Sequence, residues 1–468
     1  MTKGSPVSEP EAREASGYKL TERLAAKAAS LEFGQLPPEI VELARQCLLD
    51  WLGVTIAGAH EPAVKILVEE IREQGGNPQA TIIRHGLKVS TMQAALINGT
   101  ASHALDYDDV NWSLEGHPSA AVIPGLLALA EHRNSSGRDF IAAFVAGYET
   151  ACRVGRLVSP GHYKHGFHAT ATAGSFGAAA ACARLLGLSV AETATAMGIA
   201  GTQAAGLKSM FGTMCKPLHA GKAAQNGLFA ATLAARGFES RNDVLESAQG
   251  FAATQSTDFK VNDALADPDG GYHLRANLFK YHAACYLTHA TIECCRRLRE
   301  NADMDPESIH RINIRADETL AGVCNIPEPH NGNEAKFSLR MMAAFALAGI
   351  DTSSIESYSE NNCASTVLVS LRDKVRVQFV SGWPATKTEV DIEVRRAGNA
   401  GELTTFREHH DSGIPASDLA AQGMRLEKKF NSLVAPIFGA DLTVKLSSAI
   451  SDLDRLASIR ELILLLQT

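Results

Sequence analysis

Apolar positions recur at three- and four-residue intervals through most of the first 240 residues. After Pro37 and Pro38, which a first helical turn tolerates, Ile40, Ala44, Cys47, Trp51 and Val54 keep helical spacing. A helical region opens near Leu20, and similar periods run over 64–74, 119–132, 138–157, 173–187, 191–206 and 222–236. Several of these segments are apolar on nearly every side, as helices in the middle of a large bundle are. Gly237-Phe238 closes the last of them in a C-cap arrangement.

The pattern changes after about residue 272. His310-Arg311-Ile312-Asn313-Ile314-Arg315 alternates polar and apolar, Val375, Val377 and Phe379 alternate too, and Val390, Ile392 and Val394 answer them across a connection with Gly382 and Pro384. Leu403–Phe406 adds a further strand after Gly398–Gly401, because period-two patterning with β-branched residues argues strands. Residues 283–302 and 336–349 read as helices, and the helical pattern returns from Ala416 to Thr468. The expected architecture is mostly α with an α+β second domain. A large all-helical domain spans 19–272 and is completed by 412–468, a smaller α+β domain spans 273–411, and residues 1–18 form a disordered leader.

Composition sharpens this picture. With 468 residues, 45% of them hydrophobic and 21% charged, the chain is a globular protein of enzyme size. Aromatics are only 6%, and Ala and Gly recur in blocks that let helices pack closely. The net charge of −8 lacks the basic balance that a nucleic-acid backbone needs, so no nucleic acid is expected as a partner. Nine scattered Cys without a C-x-x-C argue against a disulfide framework and against a cysteine zinc site. The polar first eighteen residues are no secretory signal, and the run Ala169–Ala183 is too short and too rich in Gly, Ser and Thr for a membrane span, so a cytoplasmic location is expected. A P-loop, a G-x-S-x-G elbow, H-E-x-x-H and a strand-linked G-x-G-x-x-G are all missing, and no nucleotide or other cofactor is expected.

Chemistry therefore rests on four polar clusters. The first runs from His103 through Asp106, Asp108 and Asp109 to His117-Pro118. Crowded carboxylates there repel one another and draw a cation or a protonated imidazole, although Asp-rich runs between helices are often plain turns. The second, His162-Tyr163-Lys164-His165-Gly166-Phe167-His168, puts His168 at the mouth of a buried helix; Gly166 argues against three histidines ligating a metal from one helical face. The third sets Lys216 between Cys215 and Pro217-Leu218, an apolar neighbourhood that suits a carboxylate ligand or an acid–base lysine rather than a solvated one. The fourth places Lys280 at the junction of the two expected domains, where it could close on an anionic ligand or simply face solvent.

Together these strings resemble the MmgE/PrpD family, which includes 2-methylcitrate dehydratases, cis-aconitate decarboxylases and iminodisuccinate epimerases. The carrying residues are His103–Asp109 with Gly116-His117-Pro118-Ser119, Gly166-Phe167-His168 with Gly174 and Gly177, Phe211–Gly221 with Lys216-Pro217-Leu218-His219, Lys280, and Glu334–Ser338. The resemblance spans about residues 20 to 460. It implies a large helical domain with a smaller α+β domain, a homodimer, and a cofactor-free pocket at the domain junction. Carried over singly, the family's pocket residues fall on Asp106, His117, His168, Lys216 and Lys280. Val110 is a departure, because decarboxylases resembling the mammalian enzyme have Thr there. The loop from Val110 to Gly116 is also longer than theirs, and the specialised 2-methylcitrate dehydratases lack the D-Y-D-D run.

The implied chemistry forms or captures a carbanion beside a carboxylate of a small polycarboxylic acid. Cations must sit where the enolate-like charge develops, and Lys216 and Lys280 fit that role, with His103 also in contact with the substrate. His168 and His117 would move the proton, and Asp106 would orient a histidine or stay acidic. The expected activity is a lyase, dehydratase first, with an epimerase or a decarboxylase as alternatives. A metal-dependent hydrolase built on His103, Asp106, Asp108, Asp109 and His117 with Mg or Mn is the reading from another class. No metal is expected.

Overall fold

Helix starts in the first unit follow their capping chemistry. The helices are α1 (Leu20–Ala29), α2 (Pro38–Gly58), α3 (Pro62–Gln74), α4 (Thr91–His103), α5 (Pro118–Arg133), α6 (Gly137–Val158), α7 (Ala169–Leu185), α8 (Val190–Gly201) and α9 (Cys215–Ala234). Proline opens α2, α3 and α5, where its missing N–H has no intrahelical partner to lose. Capping boxes start α4 (Ser90 with Gln93) and α8 (Ser189 with Glu192). The computed structural model describes residues 18–302, 304–395 and 403–467; except for Tyr18, the leader expected over 1–18 lies outside them, as does the turn at Gly398–Gly401.

In the first unit two helix boundaries differ most from the periodicity. α8 stops at Gly201, not 206, because the chain turns towards Gly206, whose φ of +151° no helix accommodates. α9 begins at Cys215 rather than 222, with Pro217 inside its first turn. The first unit is also not purely helical. A hairpin of β1 (Ala80–Ile82) and β2 (Leu87–Val89) turns through Arg84 and Gly86, both at positive φ. Strands of three residues are too short to register as alternation. The hairpin is tied to α5, where Glu131 accepts from the Thr81 backbone N–H at 2.7 Å and its hydroxyl at 2.8 Å.

Small residues set the packing that matters for the site. α4 crosses α9 at Gly99 and Gly221, where a Cβ on Gly99 would lie 2.7 Å from the Gly221 Cα, and one on Gly221 would lie 2.2 Å from the Leu96 carbonyl. No side chain fits that crossing. It sets the end of α4, carrying His103, beside the first turn of α9, carrying Lys216.

The second unit comprises Lys280–Ser417, and the first comprises the residues up to Phe279 together with Asp418 onward. The second unit contains α10 (His289–Ala302), α11 (Leu339–Leu347), α12 (Thr366–Asp373) and a four-stranded sheet. Strands β3 (Ile309–Asp317), β4 (Val375–Val380), β5 (Lys387–Arg395) and β6 (Leu403–Asp411) lie in the order β4-β3-β5-β6. β4 and β5 do not pair with each other. β3 lies between them, with Ile312 opposite Val375 in a parallel pair and opposite Ile392 in an antiparallel one. The two inner strands, β3 and β5, carry fully buried alternate residues, Ile312 and Ile314 on one and Val390 and Ile392 on the other. Helices α13 (Leu419–Phe438) and α14 (Ala440–Ser451) return to the first unit. No helix among the described residues is long and apolar enough to cross a membrane.

Candidate active site

Three helix starts converge in the first unit. His117 is the N-cap of α5, His168 is the N-cap of α7, and Lys216 lies in the first turn of α9. Gly116 lets the first two approach: a Cβ there would lie 2.6 Å from the Thr170 hydroxyl oxygen. In its absence the His117 backbone N–H donates to that hydroxyl at 3.1 Å. Helix N-termini present unpaired N–H groups and a partial positive charge, so three of them around one lysine form a setting for an anion.

After α4 the chain turns at Asp106, whose φ of +50° is left-handed, a region Asp enters more readily than most residues. The three aspartates then reach three different places. Asp106 receives the Lys216 ammonium at 2.8 Å and lies 3.7 Å from His117 Nε2. Asp108 is fully buried and accepts from His103 Nδ1 at 2.9 and 3.0 Å. It also lies 3.1 Å from His117 Nδ1, close enough for charge attraction but out of line for a hydrogen bond. Asp109 turns away from the cluster and accepts from the Ser119 hydroxyl at 2.6 Å.

Burial makes Asp109 titrate near neutrality: it pushes the carboxyl up to about 7, and the Ser119 hydrogen bond only partly offsets this. A carboxyl raised in the folded state stabilises most below its unfolded value, and that contribution is lost as pH rises through about 7. Between about pH 4 and 7 the wild-type melting temperature is therefore expected to fall, relative to that of Asp109→Asn, as pH rises. The histidines with depressed values act in the same range, but equally in both proteins, so they cancel in the comparison. Parallel melting curves would show that Asp109 ionises without cost.

Burial holds the imidazoles of His103 and His168 neutral. Burial is the largest influence on His103, and although Asp108 opposes it, His117 and Lys216 add to it, leaving His103 at about 4. Burial alone would raise Asp108, but its interactions with His103 and His117 outweigh it and hold the carboxyl well below its ordinary value. The pair is thus a neutral His103 donating Nδ1–H to a carboxylate, with its Nε2 buried and unpartnered. His168 is pushed far below the usual range, first by burial and then by His103, His117, Lys216 and His219. Its ring stacks on His103 with centroids 5.9 Å apart and meets Phe211 edge-on at 5.0 Å.

His103, Asp106, Asp108 and His117 could each offer a ligand atom within 4.8 Å of the others. Several of these side chains already pair with one another or with neighbours. Lys216 supplies the cation that Asp106 faces, Asp108 accepts from His103 through both oxygens, and Asp109 belongs to a separate pocket.

Residues 22–264 match the family model of the MmgE/PrpD N-terminal domain, and residues 282–454 match that of the C-terminal domain. The chain belongs to the MmgE/PrpD family. Among curated MmgE/PrpD-like relatives, human cis-aconitate decarboxylase is 27% identical over 455 residues, covering 93% of this chain and 92% of the human protein. The mouse cis-aconitate decarboxylase is also 27% identical, covering 93% of this chain and 91% of its own. A cis-aconitate decarboxylase of Aspergillus terreus (strain NIH 2624 / FGSC A1156) is 29% identical over 301 residues, 61% of each chain.

Within this MmgE/PrpD chain the structure gathers Asp106, His103, His117, His168 and Lys216. The His103 side chain is wholly buried and packs against the rings of His117 and His168, with centroids 4.4 and 5.9 Å away. Lys280 opens the second unit and is itself buried. Its segment is pinned by His282, whose Nδ1 meets the Thr352 hydroxyl at 2.7 Å and whose Nε2 meets Glu293 at 3.0 Å.

Two residues received no role from the sequence: His219 entered only as part of the resembling string, and Lys429 not at all. His219, four positions before Ala223 in the small-residue face of α9, meets His168 Nδ1 to Nδ1 at 3.1 Å. Lys429 on α13 is buried and donates to Asp50 at 2.5 Å and to the Tyr107 carbonyl at 2.7 Å, with its ammonium 3.8 Å from the centre of the Tyr107 ring. It holds the backbone between Asp106 and Asp108 from behind. A lysine in a C-terminal amphipathic helix carries no local sign of that partner.

Proposed function

We propose that the protein is a cofactor-free lyase acting on a small polycarboxylate through a carbanion beside a carboxylate, with decarboxylation as its first reaction. The convergence of three helix N-termini and Lys216 on a neutral His168 carries this reading. A polycarboxylate supplies the negative charge such a site lacks, and its carboxylates meet N–H groups and an ammonium positioned before it arrives. Substrate charge also counters the cationic influences that depress His168, which brings its proton affinity towards a working range.

In decarboxylation the carbon–carbon bond to one carboxylate breaks, carbon dioxide leaves, and the bonding pair remains as a carbanion conjugated to a retained acid group. His168 then gives that carbon a proton. Lys216, fixed by Asp106, stabilises the retained acid group as negative charge spreads onto it. His117, between Asp106 and Asp108, orients this array. The long matches to cis-aconitate decarboxylases support decarboxylation over the dehydration expected from motifs. Dehydration remains a second reading on one observation: Val110 stands where decarboxylases resembling the mammalian enzyme carry Thr. Epimerisation has only the family resemblance behind it.

The test offers purified enzyme cis-aconitate, citrate, 2-methylcitrate and iminodisuccinate, following carbon dioxide release and product NMR. Carbon dioxide in step with loss of an unsaturated polycarboxylate is expected. Water loss without carbon loss would move the assignment to dehydration, and no turnover on any of the four would count against the substrate class.

A further inference from the structure

We propose that His219 is the proton relay of this site, passing protons from solvent to the buried His168. The proposal rests on the carbanion reading above and deepens it. Decarboxylation consumes one proton per turnover, because the carbon that loses carbon dioxide gains a hydrogen. That proton must come from water, yet His168 is 2% exposed and His103 behind it 1%. His219 is only partly buried and reaches His168 directly, Nδ1 to Nδ1 at 3.1 Å.

Two like nitrogens at that distance form a hydrogen bond only if one carries a proton and the other a lone pair. His219 donating Nδ1–H leaves His168 with a bare Nδ1 and its proton on Nε2. The relay then balances without a charged ring. His168 gives its Nε2 proton to the carbanion as Nδ1 takes the proton from His219, and His219 regains one at Nε2 from water. Both rings end neutral with their tautomers exchanged; after product leaves, water in the emptied site returns a proton to His168 Nε2 as Nδ1 hands its own back to His219, which releases one from Nε2 to solvent. This suits a residue for which burial and the facing His103, His117, Lys216 and His219 all disfavour the imidazolium. The backbone fixes the pair: the Gly206 carbonyl accepts from the His168 N–H at 3.0 Å. A Cβ on Gly206 would lie 3.4 Å from His219 Nδ1 and 2.5 Å from the Ala171 Cβ, so that glycine seats both rings.

The experiment compares the full-length wild type with His219→Leu and His219→Gln. In His219→Leu, kcat should fall about tenfold or more with KM within about twofold, and free imidazole in the buffer should restore kcat in a concentration-dependent way. His219→Gln can donate a hydrogen bond but cannot pass a proton on, so it should show the same kcat loss with a more native His168 environment. An unchanged kcat, or a loss that imidazole does not relieve, would overturn the relay. A readout independent of substrate separates this from failure of the carbanion reading. With 15N-histidine, wild-type protein should show one ring proton coupled to two Nδ1 nitrogens, and His219→Leu should lose it. Absence of that coupling in wild type would overturn the relay whether or not a polycarboxylate is turned over.

Discussion

Lys216→Ala is expected to lower kcat/KM on the true polycarboxylate by about a thousandfold while leaving the protein folded. Removing one group that stabilises developing charge typically costs 10²–10³ in rate, and Lys216 is also a ground-state ligand, so the two losses compound. The folded state should tolerate the change because Lys216 is at the edge of the site. Its partner Asp106 is 45% exposed in its side chain and can take solvent instead. Lys216→Arg keeps the charge but replaces a compact ammonium with a wider planar group, so recovery should be partial. Steady-state kinetics and circular dichroism on the three proteins check this. Wild-type kcat/KM in Lys216→Ala would remove the cation from the mechanism.

The second large effect is on stability. Lys429→Met is expected to destabilise the chain by about 3–5 kcal/mol, the usual cost of breaking a buried ion pair from one side. Lys429 and Asp50 are 2% and 1% exposed in their side chains, so neither can turn to water. The Asp50→Asn, Lys429→Met double variant should regain much of that loss, because the buried charge disappears with its partner. Equilibrium denaturation on the four proteins closes the cycle. A loss below about 1 kcal/mol in the single variant would show that Asp50 is satisfied without the ammonium. Because Lys429 also holds the Tyr107 carbonyl, the double variant should remain catalytically impaired when its stability has returned.

The helical bundle was legible because its helices bury nearly every face, and uninterrupted Ala, Gly and Leu periods leave few other solutions. Lys216 and His168 were legible for a related reason: each is a polar residue at the start of an apolar helix. What did not show was geometry set by single backbone angles or distant partners. The three aspartates read as one crowded cluster, yet the left-handed turn at Asp106 sends Asp109 to Ser119 and away from the other two. His103 reads as a ligand, and nothing local in the sequence showed that its ring is wholly buried against Asp108. The partnership of Lys429 with Tyr107 spans 322 positions and leaves no periodic trace. The pairing of β3 with both β4 and β5 was hidden likewise, because alternation marks strands without naming their neighbours.

The central claim is that Lys216 and His168 together create and quench a carbanion on a polycarboxylate. Proton NMR of the reaction in heavy water tests it most directly, with wild type, Lys216→Ala and His168→Ala compared on the substrate that wild type consumes. The expected result is one deuterium on the product carbon that lost its carboxylate, formed by wild type and by neither variant. Product formed by wild type without deuterium at that carbon, or formed at wild-type rate by either variant, would contradict it.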